Sequence, residues 1–269
     1  MTSFKNKNVL ITGAASGIGR LMALAIAKEG GKLILWDIHH ENLNRLKDEI
    51  TAVNGTAFTY VCDVSNKQTV FDTATVVKKE AGEIDILINN AGVVVGKPFI
   101  EYTPEEIEFT MNVNLMARFW VLHAFLPDMM KANKGHIVTI ASAAGILGVS
   151  KLSVYAASKF ADVGFDESLR TEFKKAGKDI KTTVICPYFI DTGMFKGVKT
   201  RFSFLLPILK PEYVASKIIK AIKKNRKRLC LPRMVYLVPL LRMFPVSFLD
   251  AIANLLGVNN AMDPFEGRK

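Results

Sequence analysis

Tyr155 and Lys159 stand four residues apart in a stretch with helical spacing, which puts both side chains on one helix face. A free phenol ionises near pH ~10, too high for a general base at neutral pH. An ammonium ~4 Å away, at an effective dielectric of ~20, attracts a phenolate by about 4 kcal/mol, or ~3 pKa units before desolvation opposes it. The pair therefore predicts a tyrosine able to take or give a proton near neutrality. Ser142 follows an apolar run at 136–140 that reads as a strand, and its hydroxyl is suited to orient a substrate oxygen. Tyr-x-x-x-Lys alone is common on helix surfaces. Its weight here comes from Ser142 upstream and from a glycine-rich turn at the start of the chain.

That turn is Thr12-Gly13-Ala14-Ala15-Ser16-Gly17-Ile18-Gly19, set between a strand-like run at 8–12 and a helical pattern at 17–29. Phosphate oxygens need backbone N–H donors at close range. Glycines remove the Cβ atoms that would obstruct the approach, and a helix N-terminus supplies free donors and a favourable dipole. The junction of the first strand and helix is where a dinucleotide pyrophosphate binds in a βαβ unit. Asp37 ends the second strand-like run, 18 residues beyond Gly19, close to the ~20 expected for a ribose-binding acid. A carboxylate there accepts from adenosine ribose hydroxyls and repels a 2′-phosphate, so NAD is expected over NADP. Arg20 is the residue that works the other way.

The elements needed to hold these two ends in one site are visible as alternating patterns. Strand-like runs at 8–12, 32–36, 57–62, 84–88, 136–140, 181–186 and 229–232 are separated by helical patterns. A helix is expected after Ser65 as its N-cap, and Pro104 should open a long helix with Glu105 and Glu106 in its first turn. Alternation of this kind specifies a parallel sheet covered on both faces. With right-handed crossovers the result is a doubly wound, three-layer α/β/α Rossmann fold of seven strands. No linker divides the chain, so residues 1–235 read as one domain.

Residues 236–269 form an apolar, basic extension, expected to pack on the domain, on a partner subunit or on a membrane surface. The run at 235–258 is interrupted by Pro239, Arg242, Pro245 and Asp250, which argues against a spanning helix. The apolar cluster of Phe189, Ile190, Met194, Phe195, Phe202, Phe204, Leu205, Leu206 and Ile208 reads either as a lid over a lipophilic substrate or as core packing. The 269 residues are 49% hydrophobic, ample for a core. The net charge is +11, and residues 210–269 hold twelve Lys/Arg against four Asp/Glu. No basic module interleaved with aromatics accompanies that charge, so nucleic acid is not an expected partner. Cys62, Cys186 and Cys230 are far apart, with no metal-ligand spacing, and read as inert strand residues. No basic-plus-apolar leader precedes the first strand, and a cytoplasmic setting with peripheral membrane contact is the expectation.

These motifs together resemble the short-chain dehydrogenase/reductase family, over about residues 7–232. They are the glycine-rich turn, Asp63-Val64, Asn89-Asn90-Ala91-Gly92, Asn114 in Val113-Asn114-Leu115, Ser142, and Tyr155-Ala156-Ala157-Ser158-Lys159. The resemblance implies that Asp63 and Val64 contact the adenine, that Asn90, Ala91 and Gly92 line the cofactor, and that Thr192 holds the nicotinamide amide. It also implies that Asn114 joins a proton relay to Lys159 through water. Within the family the chain is most similar to retinol and 17-beta-hydroxysteroid dehydrogenases, through Leu35-Trp36-Asp37-Ile38 and the stretch from Cys186-Pro187-Tyr188 to Met194-Phe195. Ile38 and Pro187 join the expected cofactor contacts on that basis. Many relatives have Pro-Gly where this chain has Pro187-Tyr188, so Tyr188 is expected to crowd the nicotinamide side or shape the substrate pocket. The expected reaction interconverts an alcohol and a carbonyl on a retinoid, steroid or long-chain alcohol, in a homodimer or homotetramer. The alternatives are a sugar-nucleotide epimerase-like enzyme and a non-catalytic NAD-binding protein.

Overall fold

The computed structural model describes residues 1–267; the last two residues of the expected C-terminal extension, 268 and 269, lie outside the described residues. Seven parallel strands form one sheet: β1 (Asn8–Thr12), β2 (Lys32–Asp37), β3 (Thr56–Val61), β4 (Ile86–Asn89), β5 (Gly135–Ile140), β6 (Ile180–Pro187) and β7 (Arg228–Leu231). Their spatial order is β3-β2-β1-β4-β5-β6-β7. The order reverses between β1 and β4, and ligands of open α/β sheets bind at the carboxyl ends of the strands around such a switch point.

The strands are buried on both faces, and successive side chains point alternately into the two helical layers. Val9, Ile11, Leu33 and Leu35 face one layer, where they meet Met22 and Ile26 of α1 (Gly17–Lys28), Leu43 and Leu46 of α2 (His40–Ala52), and Ile218 and Ile222 of α7 (Pro211–Lys223). Leu10, Ile34, Trp36 and Leu87 face the other. There they meet Val70 and Val77 of α3 (Lys67–Glu80), Val121 and Phe125 of α5 (Ala117–Ala132), and Leu169 and Phe173 of α6 (Ser153–Lys175). Each fully buried Leu, Ile or Phe side chain contributes about 1.5–3 kcal/mol relative to exposure.

Several local expectations change. The N-cap of α3 is Asn66, not Ser65: the Asn66 side chain accepts from the Thr69 N–H at 3.0 Å, while Ser65 donates its N–H and hydroxyl to Asp63. The helix expected from Pro104 is not continuous. α4 (Pro104–Met111) starts with a Thr103/Glu106 capping box, passes into a π-helical segment at Asn112–Met116, and continues as α5. Cys62 lies just past β3 rather than in it. Cys186 and Cys230 are register partners on β6 and β7, and all three thiols are free and buried.

The tail turns where its prolines require. A 3-10 turn at Arg233–Leu237 leads into α8 (Val238–Leu241), and Pro245 caps α9 (Val246–Leu255). Among the described residues no helix is long and apolar enough to cross a membrane. Val258, Ala261 and Met262 are buried against the rest of the molecule.

Candidate active site

The carboxyl ends of β1, β2, β4 and β5 open onto a cleft of about 340 Å³. Its wall includes Gly13, Ser16, Gly17, Ile18, Gly19, Asp37, Ile38, Asp63, Val64, Asn90, Ala91, Gly92, Ser142, Tyr155, Lys159, Pro187 and Thr192. Residues from 13 to 192 in the chain thus converge on one cleft, as the expected dinucleotide site requires. Two expected contacts sit elsewhere. Thr12 is buried behind the turn, where its hydroxyl accepts from the Asn90 and Ala91 N–H groups at 3.0 and 3.1 Å. Asn114 is buried behind Gly92 and Val93, outside the cleft wall.

The glycine-rich turn is held closely. The Asn90 amide donates to the carbonyls of Thr12 and Gly13, both at 2.9 Å. A Cβ on Gly13 would lie 2.8 Å from Ala91 Cα, and one on Gly19 would lie 2.2 Å from the Gly13 carbonyl oxygen. Side chains at either place would push the turn away from β4 or the helix away from the turn. Ser16 caps α1 without a side-chain hydrogen bond, so the first N–H groups of the helix face the cleft unpaired by that side chain. Together these make a cradle for phosphate oxygens.

Asp37 is nearly buried, and its two carboxylate oxygens accept from the N–H groups of Ala15 (2.9 Å) and His39 (3.1 Å). The carboxylate therefore ties the turn to the end of β2 and keeps lone pairs for a further donor. Arg20 is engaged by Glu49 in an ion pair. Of the described residues on the cleft wall, Lys159 is the only Lys or Arg. The donors, the glycine cradle and the carboxylate fit a dinucleotide.

At the other end, Tyr155 and Lys159 share the first turns of α6, with the Lys159 ammonium 5.5 Å from the Tyr155 ring centre. The chain leaves β5 at Ile140, and Ser142 starts a short 3-10 turn. Its hydroxyl accepts from the Ala144 N–H at 3.1 Å and donates to the Pro187 carbonyl at 3.4 Å. Asn114 lies in the π-helical segment, a distortion frequent at functional sites. Its side chain accepts from the Val93 N–H (2.8 Å) and donates to the Val93 carbonyl (2.9 Å) and the Ser158 hydroxyl (3.3 Å). Asn114 thus braces the loop after β4 against α6.

The electrostatics differ from the simple phenol–ammonium picture. Burial pushes Tyr155 up to about 12, against hydrogen bonding to Ser142 and the charge of Arg118, which pull it down. Burial, followed by repulsion from Arg118, pushes Lys159 down to about 7, while Asp162 holds its proton on. Arg118 is a second cation that pulls on the phenol, and spacing along the sequence did not bring it forward. Arg118 Nε lies 3.0 Å from Asp162 Oδ1, and Lys159 donates to Asp162 Oδ2 at 3.4 Å. The signal was present as a lone Arg among Ala117, Phe119 and Trp120, and an Asp three residues after Lys159 on the same helix.

A second cavity of about 240 Å³ adjoins the cleft. Ser142, Tyr155, Tyr188 and Phe195 line both. The rest of its wall is almost wholly apolar and includes Leu147, Val149, Leu152, Phe189, Leu206, Val238, Leu241, Ile252 and Leu256. Phe189 and Leu206 of the apolar cluster face this cavity, while Phe204 and Ile208 are exposed.

Residues 7–201 match the family model described as short chain dehydrogenase. The chain belongs to that family. As a short-chain dehydrogenase it is an oxidoreductase of alcohols and carbonyls. It is 46% identical over 264 residues to human epidermal retinol dehydrogenase 2, covering 97% of this chain and 85% of that protein. A short-chain dehydrogenase/reductase from Burkholderia phymatum, solved in complex with NAD, superposes with a TM-score of 0.82 at 29% identity, over 90% of this chain and 95% of that one. A metagenomic short-chain oxidoreductase in complex with NADP gives a TM-score of 0.71 at 28% identity, over 86% and 98%.

Proposed function

We propose that this short-chain dehydrogenase uses NAD in preference to NADP to interconvert a lipophilic alcohol, of retinoid, steroid or long-chain type, and its carbonyl. The observation that carries this reading is the wall shared by the two cavities: Ser142 and Tyr155 border both the polar, glycine-lined cleft and the apolar cavity. A reactive oxygen held there has a dinucleotide-sized cleft on one side and room for a hydrocarbon body on the other.

In this account the N–H groups of the Gly13–Gly19 turn take the pyrophosphate, Asp37 the adenosine ribose, and Asp63, Val64 and Ile38 the adenine end. Asn90, Ala91, Gly92, Pro187 and Thr192 line the nicotinamide end. When bound, the nicotinamide ring supplies hydride acceptance or donation. Ser142 and Tyr155 orient the substrate oxygen. During oxidation Tyr155 Oη takes the hydroxyl proton while its own passes on toward the Lys159 amine, and the transfers reverse during reduction. Lys159 and Asn114 support that proton transfer from behind. NAD is favoured because a 2′-phosphate would meet the Asp37 carboxylate, while Arg20, in the first turns of α1, is occupied by Glu49.

Residues 236–269 act as an extension of the catalytic domain 1–235. The inner face of its described part closes the apolar cavity. Its outer face exposes Leu240, Met243, Phe244, Val246 and Leu255, and the stretch before it, residues 217–228, carries seven Lys/Arg and no Asp/Glu, which supports peripheral seating on an anionic lipid surface that would deliver an apolar substrate directly.

The function is tested by following cofactor reduction with NAD and with NADP across retinoid, steroid, long-chain and small polar alcohols. Turnover of lipophilic alcohols, faster with NAD, is expected; turnover confined to small polyols contradicts the substrate reading.

A further inference from the structure

Behind Tyr155, Lys159 belongs to a charged cluster whose other two members, Arg118 and Asp162, the reaction described above does not use. The side chains of Arg118, Asp162 and Lys159 are 3%, 0% and 4% exposed. Asp162 bridges two cations, one through each carboxylate oxygen: Arg118 Nε at 3.0 Å and Lys159 Nζ at 3.4 Å. The two cations also donate to the same acceptor, the Ile140 carbonyl at the end of β5, at 2.9 and 3.1 Å. We propose that Arg118 and Asp162 are positioning residues for Lys159, a buried pair that fixes its amine at the end of β5 and sets whether it carries its proton beside Tyr155.

The charge count makes the direction of control specific. Two cations and one carboxylate form a nearly fully buried cluster, with Lys159 at the edge of the cleft, so one positive charge is in excess. Arginine does not give up its proton in proteins, so the member able to shed one is Lys159. The charged or titratable groups facing Lys159 are Tyr155 and Asp162 from α6, Arg118 from α5 and Cys186 from β6. Removing the Asp162 charge leaves two cations together and drives the proton off Lys159. Removing the Arg118 charge relieves the repulsion, leaves the carboxylate to Lys159 alone, and holds the proton on. A pair serving only to fill space would not move the amine in opposite directions.

The consequence for catalysis rests on the oxidoreductase reading, but the test needs no turnover, so the two can fail separately. The side-chain methylene next to the Lys159 amine is followed by NMR across pH in the purified chain, its signal identified by loss in Lys159→Gln. The wild-type midpoint is expected near neutral pH, at about 7. Asp162→Asn should lower it, and Arg118→Met raise it, by about one pH unit or more. Arg118→Lys keeps the charge and should stay near wild type. Unmoved midpoints in Asp162→Asn and Arg118→Met, or shifts of the same sign in both, would overturn the proposal. If Arg118→Met does not fold, Asp162→Asn and Arg118→Lys decide it: the first must shift downward and the second must not.

Discussion

At the scale of single residues, the proposed preference for NAD rests on two side chains 17 positions apart in sequence, Arg20 and Asp37. The Arg20 guanidinium is half-exposed and neutralised by Glu49. Glu49→Gln should free it and raise the NADP-to-NAD ratio of kcat/KM by roughly fivefold, the size of a partly screened ion pair. An unchanged ratio would mean that Arg20 does not reach the 2′-position. The residues with local chemistry were legible in the sequence. Gly13 and Gly19, Asp37, Ser142, Tyr155 and Lys159 carry their meaning in residue type and short spacing, and all line the cleft. Arg118 and Asp162 were not legible as a pair. They lie on different helices, and only tertiary packing brings their charges to 3.0 Å. Thr12 and Asn114 illustrate a second limit: a motif names the residues near a site without saying which face the ligand and which hold the wall.

At the scale of elements, helix ends and interruptions decide where side chains point. The Thr103/Glu106 capping box satisfies two orphan donors and sets the start of α4, which leads directly into the π-helical segment carrying Asn114. Thr103→Ala should cost about 1 kcal/mol, seen as a drop of about 2–4 °C in Tm for a chain of this size. An unchanged Tm would mean that the cap adds nothing. Strand and helix alternation was readable because apolar periodicity switches between two and 3.6 residues. The π segment was not, because residues 112–116 have the same apolar pattern as the α-helix around them and differ only in backbone hydrogen bonding. The expectation of Ser65 as the cap, where the structure uses Asn66, failed for a related reason. Both residue types cap well, and Asp63 had already claimed the Ser65 hydroxyl.

At the scale of the whole molecule, the sheet order places both functional ends at one switch point, and the tail covers the apolar side of the site. The same tail leaves Met243, Phe244 and Val246 53–80% exposed, apolar side chains close together in sequence that a lipid or protein surface would cover. Flotation with anionic vesicles should carry the full chain upward, and deletion of residues 238–269 should weaken that association. Equal behaviour of both forms would instead favour a face between copies of the chain. The tail's use was open from sequence alone, since Pro239 and Pro245 exclude a spanning helix without choosing between protein and lipid as neighbour.

The most direct measurement is the turnover of Tyr155→Phe with NAD and a lipophilic alcohol, alongside its NADH affinity measured by fluorescence. The phenyl ring preserves the packing against Phe195 and removes only the hydroxyl. The expected result is a fall in kcat of roughly 10²–10⁴-fold, the share of general acid–base catalysis, with NADH binding retained. Near-wild-type turnover in that variant would contradict the assignment of Tyr155 as the proton-transfer group.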